Sequence, residues 1–277
     1  MAFRLGVTGL PNTGKSFSWK FYDKGEDVFA ICPSSKLLHV RKSDGSLLQP
    51  LDIEVEGLGK NFKEIMKAKN TTSEAAILGG LAASVNDLKV KTTGDYIVCS
   101  NVKLVSGIKK FVDKYMPHKK IILNPDFTHY ISYIMQDPAF ISRKAGGEAF
   151  QRFWELAADT LGNTILSADS LKNVILDVTE FHSVYNEGLG QFEIYTPGGK
   201  MLTEKFLPDS YFDLMLYSYV LPYEQEKDES KRFKFMTIKR DGYEGRSMGL
   251  FADIAKEGIM DNNIKLVIDR LFKYLGK

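Results

Sequence analysis

The sequence predicts an α/β protein with a mostly parallel sheet as its core and a β-rich extension toward the C-terminal end. Three observations predict this. The apolar run "FRLGV" leads directly into "TGLPNTGKSF", residues 8–17, in the order strand, glycine-bearing loop, helix. Up to about residue 190, short apolar runs alternate with segments of helical period, the pattern of a sheet covered by helices. Beyond that point the chain turns to β-rich stretches separated by turns. We therefore expect a core over residues 1–190 and an extension over 191–277 packed on it, together one structural domain, which 277 residues can build.

The first element sets the chemistry. Gly9, Gly14, Lys15 and Ser16 match every specified position of the P-loop pattern G-x-x-x-x-G-K-[ST]. The glycines allow a backbone that wraps a phosphate and points successive N–H groups at it. A helix beginning near Lys15 would add its positive end. Pro11, Asn12, Thr13 and Phe17 complete the expected nucleotide contacts. Lys15 is placed to bridge the outer phosphates, and the Ser16 hydroxyl to bind the Mg²⁺ that neutralises them. The expected ligands are thus ATP and Mg²⁺, against the plainer reading of a glycine-rich turn.

Further along, "DVFAICPS" reads as a second buried strand ended by Pro33, and Asp44-Gly45 in "KLLHVRKSDGSLLQP" as a hairpin. Residues 60–90 read as helix, loop and helix, with breaks at Asn70-Thr71-Thr72 and Gly79-Gly80. "DYIVCSN" reads as a strand and "KLVSGIKKFVDKYM" as a helix. "KKIILNPDFTHYISYIMQ" gives a strand and then a helix. "SRKAGGEAF" carries breakers and charge and reads as a mobile loop before the helix "EAFQRFWELAADTL". "KNVILDVTEFH" is again a buried strand. "GQFEIYT", "SYFDLMLYSYVLP" and "KRFKFMTIKR" are the β-rich extension, closed by the amphipathic helix "NNIKLVIDRLFKYLGK".

A P-loop needs an acidic partner for its metal, commonly at the end of an apolar strand. Asp126 in "IILNPDF" is the candidate, although Asn124 and Pro125 come before it; the alternative is an Asp that caps the following helix. The strand "NVILDV" delivers Thr179, Glu180 and His182 to its carboxyl end, the edge where open α/β sheets bind ligands. Glu180 or His182 there could sense the γ-phosphate or orient water, or simply be solvated. His129 in "DFTHY" reads as structural. Arg240 and Arg246 in "TIKRDGYEGRSMG" read either as a solvated, ion-paired face or as an arginine reaching the phosphates of a neighbouring subunit.

Composition narrows the partners. A formal net charge of +2 argues against a dominant polybasic surface, so nucleic-acid contact would need a local patch or several subunits together. Cys32 and Cys99 lie in apolar runs without CxxC or histidine spacing, which suggests buried thiols and neither a disulfide nor a zinc site. No leader pattern or membrane-length apolar run stands out, so a soluble cytoplasmic protein without membrane contact is expected.

Four stretches, "GLPNTGKS", "DFTHY", "TPGGKMLTEKF" and "RDGYEGRSMGLF", together resemble the phage-encoded AAA/RecA-like nucleotide-binding proteins, the group that includes phage single-strand annealing ATPases. The resemblance spans most of the chain, and the P-loop is its one specific motif. It implies a RecA-like P-loop core, an ATP ligand, and a role in phage DNA recombination, replication or repair as an oligomer on single-stranded DNA, in the host cytoplasm. Within that pattern Lys15 and Ser16 carry over directly, Asp126 carries over less cleanly, and Lys200 occupies a recurrent lysine position. The departure is "NPD" where adjacent acids are usual, which leaves open slow hydrolysis or binding without turnover. Lys231, Arg232, Lys239 and Arg240 are the residues expected to line up along a strand of DNA. Two other classes stay open: a small-molecule or nucleotide kinase, for which the basic turn near residue 240 is the one substitute for an arginine-bearing lid, and a non-hydrolysing assembly protein that keeps its nucleotide as a structural ligand.

Overall fold

Strand β1 (Phe3–Gly9) lies inside an eight-stranded sheet and is hydrogen-bonded on both sides by strands more than 160 residues away in sequence. The computed structural model describes residues 1–35, 38–56, 71–84, 88–136, 148–196, 202, 205–240, 242–243, 245–247 and 249–277. After β1 the strands are β2 (Val28–Cys32), β3 (Asp52–Val55), β4 (Val90–Thr93), β5 (Tyr96–Val98), β6 (Ile121–Asn124), β7 (Leu176–Glu180), β8 (Ser183–Asn186), β9 (Gln191–Ile194), β10 (Leu214–Val220), β11 (Phe233–Met236) and β12 (Ile259–Asp261). The helices are α1 (Thr71–Ala83), α2 (Val102–Tyr115), α3 (Thr128–Gln136), α4 (Glu148–Leu166) and α5 (Ile264–Tyr274).

The sheet order is β12-β11-β10-β1-β7-β6-β2-β5. Every pairing from β10 to β5 is parallel, and β11 and β12 are antiparallel at one edge. Parallel strands covered on both faces read as unbroken apolar runs, which is why "VFAIC" of β2 is buried at all five positions. On one face Phe127, Ile108, Phe111, Leu161 and Ile165 pack over the sheet. On the other lie Trp19, Tyr22, Phe251 and the Val267, Ile268 and Leu271 stripe of α5. Asn101 and Asn263 cap α2 and α5, each accepting from the backbone N–H two residues on.

The mostly parallel sheet with antiparallel strands at its end is the architecture the sequence predicts. Its details differ in two places. β10 belongs to the parallel part of the sheet, with Gly9 opposite Ser218, so the antiparallel portion attached to this sheet begins only at β11. The break expected at Gly79-Gly80 is absent, because both glycines lie inside α1. A Cβ on Gly107 of α2 would stand 2.9 Å from the Cα of Gly79, so these glycines let two helices approach closely instead of ending one. The hairpin at Asp44-Gly45 is present: Lys42 N–H donates to the Ser46 carbonyl at 2.9 Å, with Gly45 at φ 81°. The first of the two helices expected over 60–90 and the loop expected over 142–147 lie outside the described residues, as does Lys200.

Two buried ion networks stitch the sheet. Lys109 of α2 reaches Asp177 of β7 at 2.5 Å and the Thr164 carbonyl at 3.0 Å, while Asn124 of β6 donates to the other Asp177 oxygen at 2.8 Å. Lys119 and Lys42 share Asp95 at 2.6 and 2.7 Å. Burial lowers the affinity of Lys119 for its proton, and Asp95 opposes that shift. Removing one member of a buried pair strands the other in low dielectric. Lys109→Met is therefore expected to lower unfolding free energy by about 3–5 kcal/mol, whereas Glu155→Gln at the exposed Lys205–Glu155 pair should cost about 0–1 kcal/mol; urea unfolding of both variants measures the contrast.

Candidate nucleotide site

The loop after β1 is held from the strand side and from above. A Cβ at Gly9 would stand 2.3 Å from the Ser218 carbonyl oxygen of β10, so only glycine fits there. Gly14, at φ +91°, has the ring of Phe233 of β11 against it, where a Cβ would meet Cδ1 at 2.7 Å. The Ser218 hydroxyl donates to the Thr13 carbonyl at 2.6 Å and accepts from Asn262 Nδ2 at 2.8 Å. Thr13 Oγ1 donates to the Leu10 carbonyl at 2.8 Å. Asn12 takes a left-handed φ of 63°. Lys15 is buried, and its Nζ donates to the Gly9 and Leu10 carbonyls at 2.8 Å each, so the ammonium closes its own loop.

The helix expected to begin near Lys15 is a six-residue 3₁₀-helix, Ser16–Phe21. Four aromatic residues within Phe17–Tyr22 explain the shape. In a 3₁₀ turn residues three apart eclipse, which drives Trp19 and Tyr22 into the core together, their ring centroids 6.0 Å apart, while Phe17 and Phe21 stay half-exposed or exposed. The indole of Trp19 donates to Glu180 Oε1 at 3.0 Å, and the Ser16 hydroxyl donates to Glu180 Oε2 at 3.2 Å. Glu180 is 1% exposed at the end of β7, and its backbone carbonyl accepts from Phe127 N–H at 2.7 Å.

Asp126 follows Asn124 and Pro125 with φ 61°. Its carboxylate takes Nε2 of His182 at 2.8 Å on one oxygen and Nε2 of His129 at 3.0 Å on the other. The amide of Asn124 is turned into the sheet toward Asp177, away from the loop. Thr128 Oγ1 accepts from His182 N–H at 2.9 Å, locking the two chain segments side by side. A cavity of about 500 Å³ lies over the loop, lined by residues 11–17 with Asp126 and His182 on one flank and His39 and Phe233 on the other. That volume is within the range of small-molecule sites. Phe17 packs on Phe233 at 5.3 Å between centroids and on His39 at 6.4 Å, so the flank opposite the histidine–aspartate pair is aromatic.

The structure thus brings together Pro11, Asn12, Thr13, Gly14, Lys15, Ser16, Phe17 and Asp126 around one cavity, with Gly9 at its base and Glu180 reached through Ser16. Arg246 is not among them. Its backbone pairs with Met215, which lies opposite Gly6, three residues upstream of Gly9, and its guanidinium donates to the Asp209 and Phe212 carbonyls. The basic residues expected to form one track divide between opposite ends of β11: Lys231 pairs with Asp228 and Arg232 donates to the Leu221 carbonyl at one end, while Lys239 and Arg240 follow the other. His129, expected to be structural, is half-exposed and holds Asp126. Sequence reasoning missed Trp19, Ser218 and Asn262, whose contacts span between 44 and 205 residues and leave no local pattern.

Cys32 and Cys99 are both buried thiols outside any disulfide, and burial pushes the Cys99 thiol up to about 11. Among the described residues no cluster of three or more histidine, cysteine, aspartate or glutamate side chains could hold a metal by itself, and no helix is long and apolar enough to cross a membrane.

No family model matches the chain, and no curated protein matches it with significance. Among solved structures it is similar to one described as an ATPase domain, at 11% identity and a TM-score of 0.40 over 84% of this chain and 75% of that one. It is also similar to "The Structure Of A DnaB-Like Replicative Helicase And Its Interactions With Primase", at 12% identity and a TM-score of 0.38 over 89% of this chain and 57% of that one. Both scores are low, so the chemistry of the site rests on this chain's own residues.

The long-range brace on the loop is open to direct measurement. Ser218→Ala deletes the donor to the Thr13 carbonyl and the acceptor for Asn262 at one buried point. The expected loss is about 1–3 kcal/mol, read as a lower midpoint in urea with an unchanged slope.

Proposed function

We propose that the chain binds a nucleoside triphosphate, with ATP as the reference ligand, in the cavity over residues 11–17, and hydrolyses it in a Mg²⁺-dependent reaction. The observation that carries this reading is the placement of Lys15 and Ser16 at the floor of a cavity of about 500 Å³, on a glycine-bearing loop that leaves a parallel strand at its carboxyl end. Loop N–H groups and Lys15 would hold the phosphates, and Lys15 would exchange its two carbonyl partners for phosphate oxygens. The oxygen donors near the loop, the Ser16 hydroxyl with a carboxylate 3.2 Å away, are the hard ligands that Mg²⁺ prefers. Bound there, Mg²⁺ would neutralise charge developing on the phosphates. Two carboxylates could complete its shell, Asp126 on the cavity flank and Glu180 behind Ser16. Among the described residues no arginine lines the cavity, which favours hydrolysis over a kinase reaction needing a lid to exclude water.

A coupling to single-stranded DNA, as a homo-oligomer acting in phage recombination, replication or repair, is the finer form of this proposal. Support for it is the likeness of four sequence stretches together with exposed Lys231, Lys239 and Arg240. Because a net charge of +2 gives one subunit little hold on a polyanion, binding would depend on assembly, with Arg246 of one subunit offered to the site of the next. The second reading, a nucleotide held without turnover, draws support from one observation: each oxygen of Asp126 has an imidazole Nε2 within 3.0 Å.

Lys15→Ala is expected to lower ATP affinity at least tenfold by titration calorimetry; circular dichroism should keep its shape, with melting lowered by the loss of the bonds that Lys15 gives the Gly9 and Leu10 carbonyls. Equal affinity in parent and variant would remove the phosphate role of the loop. ATP turnover by the parent with and without single-stranded oligonucleotide, at low and high salt, separates the three forms: a rate raised by DNA at low salt, a rate indifferent to DNA, and no rate despite binding.

A further inference from the structure

Two carboxylates flank the phosphate loop, and their surroundings are opposite in kind. Asp126 sits on the cavity wall with His129 Nε2 3.0 Å from one carboxylate oxygen and His182 Nε2 2.8 Å from the other, the latter without hydrogen-bond geometry. A cation there would meet two histidine side chains already within 3.0 Å of its oxygens. Glu180 is 1% exposed, yet among the described residues its carboxylate is hydrogen-bonded by a hydroxyl and an indole N–H, with no ammonium or guanidinium in ion-pair contact. The hydroxyl it faces belongs to Ser16, the residue whose oxygen points toward the outer phosphates in this loop pattern. Register fixes the pair: Glu180 is opposite Val7 on β1, two residues before the loop begins at Gly9.

We infer that Glu180, brought by β7 and oriented by Trp19, is the carboxylate that shares the divalent-cation shell with Ser16, and that Asp126 stays outside it. This inference rests on the proposed nucleotide site. The donor set suits the role: a serine hydroxyl and a carboxylate oxygen at 3.2 Å, both oxygen, on rigid backbone at the end of a parallel strand. Trp19 is a positioning residue. Its indole can only donate, so it fixes Oε1 and leaves Oε2 as the oxygen directed at Ser16. A bound cation would supply positive charge beside the buried carboxylate.

The test uses the full chain and measures cation binding directly, apart from turnover. Nucleotide affinity is titrated with and without Mg²⁺, and Mn²⁺ is followed by electron paramagnetic resonance in the presence of ATP, for the parent, Glu180→Gln, Asp126→Asn and Trp19→Phe. Glu180→Gln keeps the shape and is expected to keep the Mg²⁺-free ATP affinity while losing most of the gain that Mg²⁺ gives, with Mn²⁺ binding weakened at least tenfold. Asp126→Asn should keep the gain that Mg²⁺ gives, whatever it does to the Mg²⁺-free affinity. Trp19→Phe should fall between, through a misaimed carboxylate. In a Trp154→Phe background, Trp19 is the sole indole, and its emission should respond to Mg²⁺ with ATP in the parent and not in Glu180→Gln. A parent that binds no nucleotide would remove the site itself. A parent that binds with a Mg²⁺ gain that survives Glu180→Gln, or is lost in Asp126→Asn, would overturn the inference and leave the site standing. Should Glu180→Gln melt too early to titrate, the other two variants decide: a Mg²⁺ gain lost in Asp126→Asn, or undiminished in Trp19→Phe, would overturn the inference.

Discussion

The parallel pairing of β1 between β7 and β10 is the constraint on which the cavity depends. It sets Gly9 against Ser218 and Val7 against Glu180, so that one neighbour braces the loop and the other presents a carboxylate beneath it. A slip of one residue on either side would turn each of these side chains to the opposite face of the sheet. The loop's own sequence supplies glycines and a lysine. Its shape also requires Ser218, Asn262 and Phe233 from distant segments, one at the Thr13 carbonyl, one behind it and one against Gly14.

The same sheet explains why β6 ends in an amide. Asp177 on β7 is already a buried anion neutralised by Lys109, and Asn124 donates to its free oxygen across the strand boundary. An aspartate at 124 would set a second carboxylate against the first, within hydrogen-bond distance and away from water, and like charges so placed cannot both ionise. Asn124 thus serves the interior of the sheet, and negative charge at the carboxyl edge comes from Asp126, just beyond the strand end, and from Glu180, on the next strand. The lysine at 109 and the chemistry at the strand ends are parts of one electrostatic arrangement.

Much of this was legible because it is local. The glycine-bearing loop after β1, the buried runs of β2, β6 and β7, the hairpin at Asp44-Gly45 and the amphipathic period of α5 are all set by neighbours in sequence, and all stand where the pattern puts them. The failures share a cause. Gly79-Gly80 reads as a helix break by propensity, whereas contact with Gly107 makes the pair a helix crossing. The segment after Ser16 reads as an ordinary helix, whereas burial of Trp19 and Tyr22 three residues apart tightens it to a 3₁₀ turn. β10 has the composition of an antiparallel extension and is a core strand because β1 has a free edge for it. In the site, Asp126 and Glu180 could each be assigned to a strand end from the sequence, but the contact of Glu180 with Ser16 spans 164 residues and no spacing rule links the two.

The state of Lys15 bears on how such a site would take its ligand. Its Nζ occupies the space inside the loop, with the Gly9 and Leu10 carbonyls as acceptors. If a phosphate drew the ammonium out, Leu10 would keep a donor in the Thr13 hydroxyl, whereas the Gly9 carbonyl would lose the bond from the lysine. A buried carbonyl left without a donor costs about 1–3 kcal/mol, a sizeable part of the gain from one charge-assisted bond to phosphate. The exchange would therefore be favourable only if several loop N–H groups bind at the same time. Lysine self-closure would thus set how many loop amides a ligand must engage, and it is built from the same glycine-bounded segment that makes the loop.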